Sequence, residues 1–171
     1  MERDRIAIII PAFNEESTIR QIIAEAGKYG TPIVVDDNSS DRTPSIVLDT
    51  EAILVRNYVN LGYEATLNRG FEEALTMAME IMITMDADGE HSPSLLPDFI
   101  KHFVQNDAEL VLGVRPKKQR FSENLMGFYT RVFYGAGDIL CGFKGYHVKL
   151  VEQNFGFDHS NSVGTELALN S

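Results

Sequence analysis

Three acidic side chains fall within five positions of the segment "ITMDADGEH" (residues 83–91), directly after an apolar run: Asp86, Asp88 and Glu90. Alternate residues of a strand project to one side, so these carboxylates converge if the strand direction persists as far as Glu90. Carboxylate oxygens suit Mg²⁺ or Mn²⁺, and the chain carries no Cys/His set of the kind that zinc prefers. Such an ion could bridge to the phosphates of a nucleotide and stabilise a departing diphosphate. The alternative is an acidic turn in which Asp86 caps backbone N–H groups.

A second acidic segment, "VVDDNSSDRT" (residues 34–43), leaves the same two alternatives open. Asp36 or Asp37 could accept hydrogen bonds from a base or from ribose hydroxyls, or either could serve an ordinary turn. Asp41 is expected to cap the helix that follows. Farther along, Arg115 could bind phosphate, although an isolated Arg after a strand is more often a solvated surface residue.

The apolar pattern supplies a scaffold for these segments. It predicts an α/β fold, a three-layer, mostly parallel sheet flanked by helices, because strands and helices alternate along the chain. Beyond Arg115 the alternation fades. The expected strands are residues 5–10, 32–37, 52–57, 80–86 and 108–115.

Helix signals lie between these strands. Asn14 is a good N-cap for a first helix, with acidic residues following it in the first turn. Ser92 and Pro93 are expected to open a later helix. A helix before the fourth strand is marked by apolar residues four apart, Leu67, Phe71, Leu75 and Met79.

In an open α/β sheet, ligands bind beyond the carboxyl ends of the strands. The segments with chemical potential all fall at those ends, and this shared location is stronger support than any one motif. They are "PAFNE" after the first strand, "DDNSSD" after the second, "DADGE" after the fourth and "VRP" after the fifth.

Length and charge limit the classes of protein. A chain of 171 residues, 44% of them hydrophobic, predicts one domain with a substantial core. A net charge of -10 argues against binding nucleic acid or an anionic membrane surface non-specifically. The single cysteine, Cys141, and the absence of a signal peptide predict a cytoplasmic protein. No stretch is apolar enough to cross a bilayer, and peripheral association at the inner face of a membrane stays open.

Several common motifs are absent from the sequence. There is no GxGxxG, no GxxxxGK[ST], no GxSxG and no HExxH. A dehydrogenase, a P-loop NTPase and the usual hydrolases therefore lose their usual support.

Taken in order, the segments resemble the family-2 glycosyltransferases of the GT-A fold. The resemblance runs from residue 5 to residue 152, and its last segment is closest to the polyprenyl-phosphate, dolichyl-phosphate mannose synthase-like transferases. It is carried by "IIIPAFNEESTI", "VVDDNSSDRT", "NLGYEATLNRGFEEA", "MDADGEHSP", "LVLGVRP" and "GDILCGFKGYHVKLVE".

The resemblance implies a role for each matching residue. Pro11, Phe13 and Glu15 would line the nucleotide pocket, and Asp36 or Asp37 would contact the base or ribose. Asp86 and Asp88 match the family's D-x-D, which binds the metal, and Glu90 falls where the subgroup has a third, amide ligand. Arg115 and Arg131 match basic residues that hold the diphosphate or an acceptor phosphate. Glu166 aligns loosely with a late acidic residue that serves as a base in inverting relatives.

The sequence also departs from the family pattern. Leu140, Cys141 and Lys144 replace the usual Thr, Ser and Arg, which puts the acceptor contacts in doubt. Residues 1–171 are expected to form a single GT-A-like domain without the family's usual C-terminal elements.

The function implied is metal-dependent, inverting transfer of a sugar from a nucleotide-diphosphate sugar to a polyprenyl phosphate or a saccharide, in cell-envelope or polysaccharide synthesis. Asp88, Arg115 and Glu166 would be the catalytic residues, with Mg²⁺ or Mn²⁺ as cofactor. One alternative is a non-catalytic domain that binds a nucleotide sugar or docks a partner. A sugar-phosphate nucleotidyltransferase is a weaker alternative, because the loop after the first strand is acidic and lacks glycine.

Overall fold

The computed structural model describes residues 3–88, 93–106, 108–113 and 143–154. These residues form one six-stranded sheet with helices on both faces. The strands are β1 (Ile6–Ala12), β2 (Thr31–Asp36), β3 (Ile53–Arg56), β4 (Ile81–Thr84), β5 (Leu110–Leu112) and β6 (Lys144–His147). The helices are α1 (Ile19–Ala26), α2 (Thr43–Leu48), α3 (Tyr63–Thr76), α4 (Leu96–Asn106) and α5 (Val148–Asn154), with 3-10 turns at Arg3–Arg5 and Pro93–Leu95.

The strand order is β3-β2-β1-β4-β6-β5. The first four strands in sequence pair in parallel, whereas β6 is antiparallel to both β4 and β5. The expected three-layer, mostly parallel α/β fold is therefore confirmed.

Strand β1 is buried on both faces, as its uniformly apolar sequence predicts. Ile8 and Ile10 belong to a core layer that includes α1 and α4. Ala7 and Ile9 belong to the opposite layer, which includes α3 and α5. The sheet is thus covered on both faces.

Helix α3 approaches the sheet closely because residue 70 is glycine. A Cβ at Gly70 would lie 2.3 Å from Ile9 Cγ2 and 3.2 Å from Val35 Cγ2, so a side chain there would displace the helix. This contact fixes the position of α3, whose first residue, Tyr63, lines the cavity described below.

Strand β6 and helix α5 are not anticipated by the sequence pattern. The four residues of β6 include Gly145, where a Cβ would lie 2.8 Å from the Phe103 ring, so the strand is shaped by packing against α4 rather than by its own apolar period. Inserted between β4 and β5, it leaves the expected fifth strand at the edge of the sheet.

Two local expectations are wrong, and one condition set by the sequence analysis is not met. Asn14 does not cap α1; it has a φ of 59°, and α1 begins at Ile19. Helix α3 ends at Thr76, so Met79 lies beyond it. The direction of β4 does not persist to Glu90, because the strand ends at Thr84 and a turn begins at Ala87.

Candidate functional site

A cavity of about 380 Å³ lies at the carboxyl ends of β1, β2 and β4. Its walls come from the segments after these strands and from the β3–α3 connection. This is the edge at which an open α/β sheet places a ligand. Six residues singled out from the sequence line it: Pro11, Phe13, Glu15, Asp37, Asp86 and Asp88.

The loop after β1 is bound to the loop after β2. The backbone N–H groups of Asn14 and Glu15 donate to Ser39 Oγ and Thr43 Oγ1, each at 2.8 Å. The Asn14 side-chain Oδ1 in turn accepts from the N–H of Ser40 at 2.9 Å. These bonds explain the left-handed conformation of Asn14, and they hold Phe13, which is 49% exposed, at the cavity wall.

Asp41 has the structural role expected of it. Its Oδ1 accepts from the N–H of Thr43 at 2.9 Å, at the start of α2, and its Oδ2 accepts from the N–H of Glu16 at 3.1 Å. The helix itself starts one residue later than expected, with Arg42 at the cap position. Burial raises the pKa of Asp41, but these bonds outweigh it and the net pKa is lowered.

Asp36 is fully buried and does not line the cavity. Its carboxylate accepts from Arg56 Nε at 3.2 Å and from the N–H of Ser39 at 3.3 Å. These protein partners account for its charge. Of the two neighbouring carboxylates, Asp37 is the one that lines the cavity.

Asp37 is 4% exposed, and its carboxylate binds the β3–α3 connection. Oδ1 accepts from Asn57 Nδ2 and from the N–H of Leu61, both at 2.8 Å, and Oδ2 accepts from the N–H of Gly62 at 2.9 Å. Burial raises the pKa of Asp37, but these donors more than compensate and the net pKa is lowered. Asp37 is thus ionised near neutral pH and fixes one wall of the cavity.

Asp86 and Asp88 follow β4 and line the same cavity. Asp86 is partly exposed and its Oδ1 accepts from the Tyr63 hydroxyl at 2.8 Å, whereas Asp88 is exposed. Burial and the charge of Asp86 both raise the pKa of the Tyr63 hydroxyl, which therefore stays protonated as the donor.

The donor set fits a hard divalent ion. Mg²⁺ is typically bound by one or two carboxylates together with substrate phosphates and water, rather than by a complete protein cage. Two carboxylates on one cavity wall meet that requirement. Within the described ranges, no three His, Cys, Asp or Glu side chains are grouped closely enough to hold an ion by themselves.

Two ionisable residues, Lys144 and Glu64, lie near the end of β4 and the start of β6. Lys144 is buried and occupies the position where the family pattern has Arg. Its backbone N–H donates to Thr84 Oγ1 at 3.2 Å. Glu64, in the first turn of α3, has its Oε2 buried without a hydrogen-bond partner among the described residues. Burial raises the pKa of Glu64, and the charge of Lys144 opposes that rise.

The cavity is also lined by four residues between β3 and the first turn of α3 that have no individual role in the sequence pattern: Asn60, Gly62, Tyr63 and Thr66. All belong to the segment "NLGYEATLNRG", which carries part of the family resemblance. Its motif was the available signal, but nothing in the residue types alone marks which of them face a ligand.

The remaining predicted site residues lie outside the described residues. They are Glu90, Arg115, Arg131 and Glu166, and with them Leu140 and Cys141. Across the described part of the chain, no helix is long and apolar enough to cross a membrane.

Comparison with protein families gives one match that covers most of the chain. The model described as glycosyl transferase family 2 matches residues 7–156.

The curated relatives whose names describe a reaction include two dolichyl-phosphate transferases. The UDP-N-acetylglucosamine–dolichyl-phosphate N-acetylglucosaminyltransferase of Methanococcus voltae is 28% identical over 70% of this chain and 55% of its own length. The dolichol-phosphate mannosyltransferase of Pyrococcus furiosus is 27% identical over 81% of this chain and 40% of its own length. The chain thus spans about half the length of these relatives.

Among solved structures, glucosyl-3-phosphoglycerate synthase from Mycobacterium tuberculosis superposes with a TM-score of 0.73 at 21% identity. The match covers 86% of this chain and 58% of that one. That structure was solved with Mn²⁺, UDP-glucose and phosphoglyceric acid. At this level of identity the likeness establishes a shared fold.

Proposed function

The chain belongs to glycosyl transferase family 2, and we propose on that premise that it transfers a sugar from a nucleotide-diphosphate sugar to an acceptor, with inversion at the transferred carbon. The observation that carries this proposal is one cavity at the carboxyl ends of the strands. There the loop after β1, Asp37 and the pair Asp86 and Asp88 all face the same space. A nucleotide needs a wall for its base and a cation for its phosphates, and this cavity offers groups for both.

The base and ribose would lie against Pro11, Phe13 and Glu15, near Asp37. Phe13 offers an exposed aromatic face for packing. Between the two neighbouring acids, we favour Asp37 as the one that contacts the nucleoside, because it lines the cavity whereas Asp36 does not. The lowered pKa of Asp37 keeps it an acceptor at neutral pH.

Asp86 and Asp88 would hold Mg²⁺ or Mn²⁺, with Glu90 proposed as a third ligand. When bound, the ion would supply positive charge to the leaving diphosphate. The protein's own part is to hold two carboxylates at the cavity. The Mn²⁺ and UDP-glucose in the M. tuberculosis synthase support the choice of ion and of donor class.

The proposed acceptor is a polyprenyl phosphate, with a saccharide as the other candidate. The names of the two relatives, both dolichyl-phosphate transferases, support the phosphate. A phosphate acceptor is already anionic near neutral pH and needs no strong general base, whereas a hydroxyl acceptor needs one. Arg115 and Arg131 are proposed to hold phosphate, and Glu166 is the proposed base for a hydroxyl acceptor.

A lipid acceptor requires contact with a membrane, and we place the protein in the cytoplasm with peripheral attachment. Apolar side chains are exposed in the β3–α3 connection beside the cavity: Tyr58 is 92% exposed and Val59 59%. Tyrosine is favoured at membrane interfaces. Sedimentation with neutral phosphatidylcholine vesicles would test this. We expect loss of binding in Tyr58→Ser/Val59→Ser and retention in Leu48→Ser, because Leu48 is 71% exposed but lies on α2.

A thermal-shift panel of nucleoside diphosphates and their sugars, with and without Mn²⁺, tests the donor site. At a ligand concentration of 100 Kd, binding stabilises the fold by about 2.7 kcal/mol, which raises Tm by roughly 5 °C or more. We expect one base to stand out and to require Mn²⁺, and we expect Asp88→Asn to lose the shift. No shift with any nucleotide would contradict the proposal. Release of free sugar or transferred product from the selected donor would exclude a domain that binds without catalysis.

A further inference from the structure

Tyr63 is the first residue of α3 and lies between the two acidic parts of the cavity. Its hydroxyl donates to Asp86 Oδ1 at 2.8 Å, and its side chain is 46% exposed where it lines the cavity. The sequence pattern assigns it no role. Its hydroxyl is a hydrogen-bond donor to a carboxylate proposed to bind the cation.

The backbone on either side of Tyr63 is fixed. The N–H groups of Leu61 and Gly62 donate to the two oxygens of Asp37, and the N–H of Thr66 donates to the carbonyl of Gly62 at 3.0 Å. Gly62 has a φ of 84°, a conformation that glycine adopts without strain. Because the chain is held immediately before Tyr63 and in the first turn after it, the phenol approaches Asp86 from a set direction.

A hydrogen bond from a fixed donor restricts rotation of a carboxylate about its Cβ–Cγ bond. Groups that hydrogen-bond a metal-ligating side chain orient it for the ion, and removing such a group typically lowers metal affinity by about 10-fold to 100-fold. A phenol suits this position because it donates without bringing a positive charge that would repel the ion.

We propose that Tyr63 is a positioning residue that orients Asp86 for the divalent cation, and that the Asp37-bound β3–α3 connection holds it in place. The inference rests on the proposed function, since it assigns a role within the same cation site. It adds the first residue of α3 to that site, and so ties the wall near the nucleoside to the wall near the ion.

The test is Tyr63→Phe, which keeps the ring and deletes the hydroxyl. Tyr29→Phe is the matched control, because Tyr29 lies between α1 and β2, at the opposite edge of the sheet. Mn²⁺ affinity would be measured by electron paramagnetic resonance of free Mn²⁺ at a saturating concentration of UDP or GDP, whichever the wild type binds. Urea unfolding would be measured in parallel.

We expect Tyr63→Phe to weaken Mn²⁺ binding by about 10-fold or more, and Tyr29→Phe to leave it within about twofold of the wild type. Unchanged Mn²⁺ affinity in Tyr63→Phe, with loss of binding in Asp88→Asn, would overturn this inference and leave the proposed function intact. So would a lower urea midpoint at unchanged Mn²⁺ affinity, because it would assign the hydroxyl a structural role. A wild type that binds no Mn²⁺ would overturn both.

Discussion

Two pairs of acidic residues lie at the carboxyl ends of β2 and β4, the strands on either side of β1. The two pairs differ in burial and in their hydrogen-bond partners. Asp36 and Asp37, after β2, are 0% and 4% exposed, and their oxygens accept from an arginine and from backbone and amide N–H groups. After β4, Asp86 is partly exposed and accepts a hydrogen bond from the Tyr63 hydroxyl, and Asp88 is exposed.

The buried carboxylates stabilise the protein around the cavity, whereas the more exposed ones are accessible to a ligand. Burying a charge is tolerated only when the protein supplies its partners, and the first pair has them. The second pair keeps contact with solvent and with the cavity, where an ion can reach it. Asp37 has both properties. It lines the cavity, and its carboxylate also holds the β3–α3 connection in place.

The largest expected effect is a loss of transfer activity when Asp88, in the more exposed pair, is substituted. Asp88→Asn should lower sugar transfer by about 10³-fold, because charge stabilisation by a metal ion contributes several kcal/mol to the transition state. The exposed site should change the free energy of unfolding by less than about 0.5 kcal/mol. A radiolabelled transfer assay and urea unfolding on the same preparation would measure both. A large loss of stability would remove the distinction between the pairs.

The converse substitution is Asp37→Ala. It leaves the N–H groups of Leu61 and Gly62 without their acceptor and should lower the free energy of unfolding by about 3 kcal/mol. Asp49→Ala is the control, since Asp49 is 73% exposed in its ion pair with Arg20, and should cost less than about 1 kcal/mol. Equal losses in urea unfolding would show that burial of the first pair does not matter.

Arg56→Met probes the other buried acid. It should cost about 1 to 2 kcal/mol because Asp36 would be left buried without its cation, an effect reduced by the 52% exposure of the Arg56 side chain. Arg20→Met, in the exposed pair, should be neutral within about 0.5 kcal/mol. Chemical denaturation of both variants tests the contrast, and a neutral Arg56→Met would argue that Asp36 does not depend on its arginine.

The smallest effect is a dependence on pH. Because the pKa of Asp37 in the folded state lies below its ordinary value of 3.8, the unfolded state takes up the proton first as pH falls. The contribution of Asp37 is therefore complete above that ordinary value and is lost as pH falls through the folded-state pKa. The difference in unfolding free energy between wild type and Asp37→Asn should therefore be constant well above pH 3.8 and shrink as pH falls below it, by no more than about 1.4 kcal/mol per pH unit. A difference that stayed constant over the whole range would contradict this.

Much of the fold was predictable because its signals are local. The uniformly apolar β1 indicates a strand covered on both faces of a sheet. The apolar residues four apart in α3 indicate a helix with one apolar face. Strand β6 carries no such signal. Its pairing with β4 and the contact of Gly145 with Phe103 depend on residues distant in sequence.

The segments that form the site were predictable from the sequence. The contacts that each residue makes within the site were less so. Asn14 and the acids after it match a helix start, yet Ser39 and Ser40, about 25 residues away, draw Asn14 into a left-handed turn instead. Asp36 and Asp37 are adjacent and identical in type. The partners that distinguish them are Arg56, at the end of β3, and the N–H groups of the connection that follows it. Tertiary hydrogen bonds of this kind leave no periodic trace.

The most direct test of the proposed cation site is diffraction from crystals soaked with Mn²⁺ and a nucleoside diphosphate, recorded at an energy where manganese scatters anomalously. We predict an anomalous peak in coordinating contact with the carboxylates of Asp86 and Asp88 and with the diphosphate, while Asp36 keeps its contact with Arg56. A nucleotide bound elsewhere, or bound in this cavity with no manganese beside Asp86 and Asp88, would contradict the account.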